Sequence, residues 1–329
     1  MGTFDILGRS QIHIDLLDKL SRVACTDAEI LISGPSGVGK ELYARFAHEK
    51  SKRAAFPLIS VNCGAIPSEL LENELFGHRD GAYTSARDSH EGLVAEAENG
   101  TLFFDEIDAL PPQGQVKLLR FIQLKEYRRL GDSRIRKANL RFIAATNAEL
   151  PSLVEQGRFR GDLYYRLSVF PVFVPPLSQR RDDIALLLGE FATRCSDNYQ
   201  LPRIVLSPRA LQFLLDYDWP GNVRELENCV KYLTCLQLTR PVDKYDLPMR
   251  CAPASSGPNG ADLLEKSFTA ARMEFERRYV TEALRKANGN VTRAAEESGE
   301  YRKKMARLIK KHGLTTAVAN SNSAVASDG

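Results

Sequence analysis

The sequence predicts an α/β fold built on a parallel sheet, with separate helical segments after it. Short apolar runs alternate with helical periodicity through residues 1–173. Two of those runs end in chemistry: one in Gly34-Pro35-Ser36-Gly37-Val38-Gly39-Lys40, the other in Asp105-Glu106. From residue 182 to residue 250 the pattern is helical, with no strand signal.

Five strands are expected, near residues 29–33, 57–61, 101–105, 140–145 and 169–174. The first, Ile30-Leu31-Ile32, runs into a G-x-x-x-x-G-K segment, and a helical pattern opens at Glu41. That strand–loop–helix setting is what a phosphate-binding loop requires. Its glycines let backbone N–H groups turn in around an anion. The helix start adds a partial positive charge and Lys40 a full one. Glu41 stands where such loops usually carry the Ser or Thr that places a hydroxyl on magnesium.

The third strand, Thr101-Leu-Phe-Phe, reads as a buried central strand and ends in two carboxylates. Ligands of parallel sheets bind outside the carboxyl ends of the strands. Asp105 is therefore expected to help hold Mg²⁺ beside the loop, and Glu106 to orient a water at the γ-phosphate of ATP. Thr146 and Asn147 end the next strand, where polar side chains can sense phosphate.

After Pro175-Pro176 a small helical subdomain is expected over 174–250. Residues 251–262, rich in Pro, Gly, Ser and Ala, read as a linker. A long amphipathic helix, about 263–287, and two short helices complete residues 263–314, and the Ala/Ser/Asn-rich tail 315–329 is expected to be disordered. The net charge of +3 is uneven. Residues 263–314 hold thirteen Lys/Arg against seven Asp/Glu, and Tyr301–His312 contains no acid, the pattern of a nucleic-acid-binding end. No apolar run approaches a membrane span, and the N-terminus lacks a basic region followed by an apolar one, so a cytoplasmic protein is expected. The six cysteines show no C-x-x-C spacing and read as reduced thiols.

Several segments then occur in a telling order: Glu74-Leu-Phe-Gly-His78, Gly81-Ala82-Tyr83-Thr84-Ser85-Ala86, Gly100-Thr-Leu-Phe-Phe-Asp-Glu106, Ala144-Ala-Thr-Asn147, Phe159-Arg-Gly-Asp-Leu-Tyr-Tyr-Arg-Leu167 and Trp219-Pro-Gly-Asn-Val-Arg-Glu-Leu226. With them the chain resembles the sigma-54-dependent transcriptional activators, bacterial enhancer-binding proteins of the AAA+ ATPase superfamily. The resemblance covers nearly the whole chain and is closest to members lacking an N-terminal regulatory domain, whose control comes from a separate protein or from expression level. It implies a P-loop ATPase with a helical lid and a Fis-like helix-turn-helix domain. It also implies a hexameric ring, with sigma-54 RNA polymerase holoenzyme and double-stranded enhancer DNA as partners.

Roles follow residue by residue from that resemblance. Asn62 matches a switch residue that holds or releases Glu106. Asn147 and Arg224 match nucleotide sensors, and Arg160 and Arg166 lie in the arginine-finger region that reaches a neighbour's ATP. Gly81–Ala86 matches the loop that touches the sigma factor, with Tyr83 in place of Phe and Ser85 in place of Gly. Asn290 or Thr292 can cap a helix over Val291–Ser298. Arg302, Lys303, Lys304 and Arg307 are the candidates for phosphate and base contact on the next helix. The implied function is ATP-driven opening of sigma-54 promoters. A second reading, kept because of Ser85, is a DNA-binding regulator that keeps the ATPase scaffold without acting through sigma-54.

Overall fold

The computed structural model describes residues 6–67, 69–82 and 88–248, and in the C-terminal part 273, 276–277, 279–281, 283–284, 287, 289–298 and 301–312. It contains two compact units, Met1–Pro253 and Ala254–Gly329. The linker and tail expected over 251–262 and 315–329 lie outside the described residues.

The first unit is organised by a five-stranded parallel sheet in the order β2-β3-β6-β1-β7. Its strands are β1 Ile30–Ser33, β2 Leu58–Asn62, β3 Thr101–Asp105, β6 Arg141–Thr146 and β7 Phe170–Phe173. Every residue of β6 is buried and β3 is buried through Phe104, as expected of central strands covered on both faces. One apolar cluster, including Leu102, Phe104, Phe121 and Phe142, packs one face of the sheet. A second, with Ile30, Ile32, Tyr43 and Phe103, packs the other. The helices around the sheet are α1 Gln11–Ala24, α2 Lys40–Glu49, α3 Leu71–Phe76, α4 Leu93–Glu96, α5 Pro112–Leu124, α6 Leu150–Glu155 and α7 Gly161–Leu167. A two-residue hairpin, β4 Glu126–Tyr127 with β5 Arg136–Lys137, stands apart from the sheet.

β7 is an edge strand. The N–H groups of Phe170 and Val174 donate to the Glu29 and Ser33 carbonyls beside β1. By the two-residue alternation of a strand, positions 171 and 173 therefore direct their backbone groups to the open edge. Position 171 is Pro.

Arg141, at the start of β6, is fully buried and closes the C-terminus of α1. Its guanidinium donates to the carbonyls of Val23, Ala24 and Ala28, each at 3.1 Å. Val23 and Ala24 belong to the last turn of α1, whose carbonyls a helix end leaves without intrahelical donors, and Ala28 lies on the segment that follows.

The rest of the unit is a helical lid, α8 Asp182–Tyr199, α9 Pro208–Asp216 and α10 Asn222–Cys235, around an apolar cluster with Trp219 at its centre. Asp183, at the start of α8, is fully buried. Its carboxylate accepts from Arg9 N (2.6 Å), Ser10 N (2.7 Å) and Ser10 Oγ (2.9 Å), tying the N-terminal segment to the lid.

In the second unit, α11 Val291–Glu297 and α12 Arg302–Lys311 pack Ala294, Ala295 and Met305 against Val280 and Leu284. Asn290 is the cap of α11: its Oδ1 accepts from Thr292 N (3.0 Å) and Arg293 N (3.2 Å). Thr292 lies inside the helix.

Candidate functional site

The site forms where β1 gives way to α2. Gly39 has φ +95° and Gly37 φ +77°, backbone that residues with a Cβ adopt at a cost. A Cβ at Gly37 would also stand 2.3 Å from the Gly221 carbonyl oxygen of the lid, so the close approach of lid to loop depends on glycine there. Lys40 opens α2, and its Nζ donates to the carbonyls of Gly34 (2.8 Å) and Pro35 (3.0 Å). Burial lowers the proton affinity of this ammonium. Asp105, Asp108 and Glu106 act in the opposite sense, while Arg224 adds to the lowering. One cation facing three carboxylates with a second cation beside it is an arrangement suited to a charged phosphate ester and a metal ion. Glu41 takes no part in this cluster; it forms an exposed i,i+4 pair with Arg45 at 3.6 Å.

Asp105 ends β3 in register with Asn62 at the end of β2. Its Oδ1 accepts from Glu106 N at 3.0 Å. Glu106 adopts a left-handed conformation, φ 53° and ψ 46°, strain that a non-glycine residue carries when its surroundings hold it there. Its Oε2 lies 2.5 Å, and Asn62 Oδ1 3.4 Å, from the position a Cβ would take at Gly64. The Asn62 amide oxygen accepts from Gly64 N (2.8 Å) and Ala65 N (3.0 Å), closing the turn after β2. Cys63 is buried between these groups. Burial first, then the charges of Asp105, Asp108 and Glu106, push its thiol up to about 12, which leaves it protonated and inert. It is one of five cysteines present as free thiols among the described residues.

The lid reaches the loop through Trp219-Pro220-Gly221-Asn222. Trp219 is fully buried, its indole N–H donating to the Leu214 carbonyl at 2.9 Å. The chain then turns, with Trp219 and Asn222 both at positive φ. Asn222 Nδ2 donates to Ser36 O (2.9 Å) and its Oδ1 accepts from Leu177 N (2.8 Å). Arg224 N donates to Gly37 O at 3.2 Å. These bonds set the exposed Arg224 side chain over the loop, in a cleft of about 550 Å³ that it lines with Ser36, Gly221 and Tyr232. A second cleft, about 710 Å³, lies on the other flank and is lined by Ser33, Gly34, Thr146, Asn147 and Tyr164.

Asn147 is exposed in that cleft, whereas Thr146 is buried. Thr146 Oγ1 donates to Asp108 Oδ1 at 2.5 Å and accepts from Ala148 N at 3.0 Å. Its hydroxyl, expected at a phosphate, is committed to Asp108. Asp108 belongs to the site and was not anticipated from sequence. An acid three residues after Asp105 was the available signal.

Arg160 is the N-cap of α7 and Arg166 lies in its last turn, and neither is gathered at this chain's own loop. Arg160 is exposed and pairs with Asp162 at 2.7 Å. Arg166 pairs at 3.3 Å with Glu29, just before β1 and thus at the end of that strand opposite the loop.

Of the segment Gly81–Ala86, residues Tyr83–Ala86 lie outside the described residues. Its stem is built. His78 and His90 exchange backbone hydrogen bonds at 2.9 Å each, Gly77 and Arg79 bond to Leu130, and Ala82 sits beneath the β4–β5 hairpin, where a Cβ on Gly131 would come within 2.8 Å of its own. On α12, Arg302, Lys303, Lys304 and Arg307 are exposed while Met305 is buried. One face of the helix is thus basic and the other packed. Among the described residues no helix is long and apolar enough to cross a membrane.

Comparison with known proteins matches residues 6–173 to the sigma-54 interaction domain, 178–262 to the AAA+ ATPase lid domain and 271–312 to the Fis family of bacterial regulatory proteins. The chain is 43% identical to transcriptional regulatory protein ZraR of Escherichia coli, covering 91% of this chain and 67% of that one. It is 40% identical to the phenol regulator MopR of Acinetobacter guillouiae, covering 94% of this chain and 56% of MopR. NtrX of Brucella abortus, solved in complex with ATP, superposes with a TM-score of 0.69 at 33% identity, covering 95% of this chain and 70% of NtrX. The chain thus spans between about half and two thirds of the length of these curated relatives. The loop that carries Lys40, the lid held to it by Asn222 and the basic α12 fall one in each of those three matched segments, and the chain belongs to the sigma-54 activator family of AAA+ ATPases.

Proposed function

We propose that this protein binds ATP with Mg²⁺, hydrolyses it between subunits of a hexameric ring, and uses the cycle to open promoters held closed by sigma-54 RNA polymerase, while its C-terminal unit holds enhancer DNA. The observation that carries the reading is the gathering of Asp105 and Glu106, at the carboxyl end of β3, and of Arg224 from the lid within electrostatic reach of Lys40 in the loop. Lys40 and the loop backbone would hold the phosphates, and Arg224 would read them from the lid. Asp105, with one oxygen bonded to Glu106 N, has the other to offer a cation. Among the described residues no three acidic, His or Cys side chains form a ready metal cage. That suits a magnesium ion carried in on nucleotide phosphates and held by one or two carboxylates. The ion would neutralise charge on the phosphates; Glu106 would orient the attacking water.

Arg160 and Arg166 sit away from their own nucleotide loop, on the helix expected to face a neighbour. An arginine supplied across a subunit boundary can be worth about 10³–10⁵ in rate, and it makes hydrolysis depend on assembly. The stem at His78, His90 and Leu130 holds both ends of the segment that would meet the sigma factor. The basic face of α12 suits a DNA groove, and tethering at an enhancer raises the local concentration at the promoter.

The test is transcription from a sigma-54 promoter with purified components. Open complexes that require this protein, ATP and the enhancer are expected. ATP turnover and enhancer binding without open complexes would overturn the activator reading in favour of a regulator that keeps the scaffold without acting through sigma-54.

A further inference from the structure

Asp108 lies in the 3-10 turn Ile107–Ala109 that follows the two site carboxylates. That turn has a conformational problem. Glu106 is held at φ 53°, ψ 46°, a left-handed region that a non-glycine residue occupies only where its surroundings hold it there. On the strand side the conformation is fastened by Asp105, whose Oδ1 accepts from Glu106 N and whose backbone carbonyl accepts from Cys63 N at 2.9 Å. Within the turn, Ala109 N donates to Glu106 O at 2.9 Å. On the far side, the Asp108 side chain ties the turn to the sheet through Thr146.

Thr146 is well placed as that anchor. It is buried at the end of β6, the strand between β3 and β1, and is paired in register with Ser33, the residue before Gly34. A hydroxyl has one proton. The 2.5 Å distance assigns it to Asp108, and Ala148 N fills the acceptor side at 3.0 Å. The hydroxyl therefore pins the turn after β3 and the turn after β6 to one point beside the phosphate loop.

We propose that Asp108 is a positioning residue for hydrolysis: through Thr146 it fastens the strained turn that aims Glu106, and with it the adjacent Asn147, at the phosphates. The inference rests on the reading of Glu106 as the group that orients water. Its Oδ1 accepts from Thr146, and its charge helps keep Lys40 protonated.

The test separates the hydrogen bond from the charge and from stability. Asp108→Asn keeps an acceptor for Thr146, and Asp108→Ala removes it. Thr146→Ser keeps the hydroxyl, and Thr146→Val removes it at nearly the same shape. In the full-length protein, Asp108→Ala and Thr146→Val should each lower kcat by about 10- to 100-fold, the scale of a misplaced catalytic group. The dissociation constant of a fluorescent ADP analogue should stay within about 3-fold of wild type, since ground-state binding is untouched. Asp108→Asn and Thr146→Ser should stay near wild type in both. The double variant, Asp108→Ala with Thr146→Val, should be no slower than the worse single variant, because both remove the same link. Additive losses, analogue affinity that falls in step with kcat, or an Asp108→Asn protein as slow as Asp108→Ala would overturn the proposal. If Asp108→Ala does not fold, the Thr146 pair decides the question by the same two readouts. Glu106→Gln is the control for the underlying reading. Undiminished hydrolysis there overturns the site assignment, whereas an inactive Glu106→Gln beside fully active Asp108→Ala and Thr146→Val overturns only the role of Asp108.

Discussion

Removing the Asp183 carboxylate should loosen the lid from the N-terminal segment by an amount the geometry allows to be worked out. Three donors meet it: two backbone N–H groups on Oδ1 and the Ser10 hydroxyl on Oδ2. The carboxylate is fully buried, and Ser10 is 5% exposed, so water cannot easily replace the lost acceptor. Hydrogen bonds to a charged group are each worth about 1.5–3 kcal/mol, and orphaned buried donors keep their desolvation cost. The Arg9 N–H is only part-buried and can recover some solvent, so Asp183→Ala is expected to cost about 3–5 kcal/mol rather than the full sum. Asp183→Asn keeps Oδ1 for both backbone donors and should cost about 1–2 kcal/mol. Urea unfolding followed by tryptophan fluorescence is the assay. The chain has one Trp, Trp219, buried in the cluster that also holds Ile184 and Leu187 of α8, so its signal reports this unit. A loss below about 1 kcal/mol for Asp183→Ala, or equal losses for Ala and Asn, would refute the reasoning.

His13 and His48 are both buried, and burial is the first cause of the lowering of each imidazole below its ordinary 6.5. Each is held neutral: Nε2 faces a carbonyl, Ile6 O or Phe56 O, and must carry the proton, while Nδ1 faces a hydroxyl, Tyr43 or Thr101. The unfolded chain then binds more protons, so stability should be full above the ordinary value and fall below it, with a limiting slope of about 1.4 kcal/mol per pH unit for each histidine. Urea midpoints between pH 8 and pH 5 check this, and His13→Gln should flatten the slope. Arg141→Met should lower stability by about 1–3 kcal/mol, a loss read by thermal unfolding, mainly by orphaning the buried Ala24 carbonyl, since Val23 O keeps Thr26 N and Oγ1 as donors and the Ala28 carbonyl is only part-buried. Arg160→Ala and Arg166→Ala should lower ATP turnover, and mixing either with Lys40→Ala protein should restore part of it. Mixed rings that form without recovery would count against a role in trans. Replacing Lys303 and Arg307 by Ala should reduce the salt slope of enhancer binding by about 0.9 for each phosphate no longer neutralised, as read by titration at several ionic strengths.

The strands that carry the site were legible because each is a compact apolar run ending in a residue with chemistry, as in Ile30–Ile32 before Gly34 and Leu102–Phe104 before Asp105. α1 was not, and His13 explains why. The imidazole is buried while its neighbours Ile12 and Ile14 face outward at 48% and 43% exposure, so the apolar positions do not mark the inner face. The β4–β5 hairpin has two residues per strand, too few for an alternation to register. Asn222 stands within a recognisable motif, but its two bonds, to Ser36 and Leu177, join residues far apart in the chain. Asp108 was missed for a related reason. Nothing local marks an acid in a turn as the partner of a threonine 38 residues later.

The open edge of the sheet has a consequence for solubility. Phe170-Pro-Val-Phe173 is a short strand flanked by exposed apolar groups, with Val169 52% and Phe173 58% exposed, the composition that invites a foreign strand to add itself. The foreign strand would need the outward N–H groups at positions 171 and 173, and proline removes one of the two. Pro171 thus works as a stopper against misassembly. Pro171→Val would complete a Phe-Val-Val-Phe run and turn the rim of a folded ATPase into a seed for β-aggregation, without disturbing any hydrogen bond the native sheet makes.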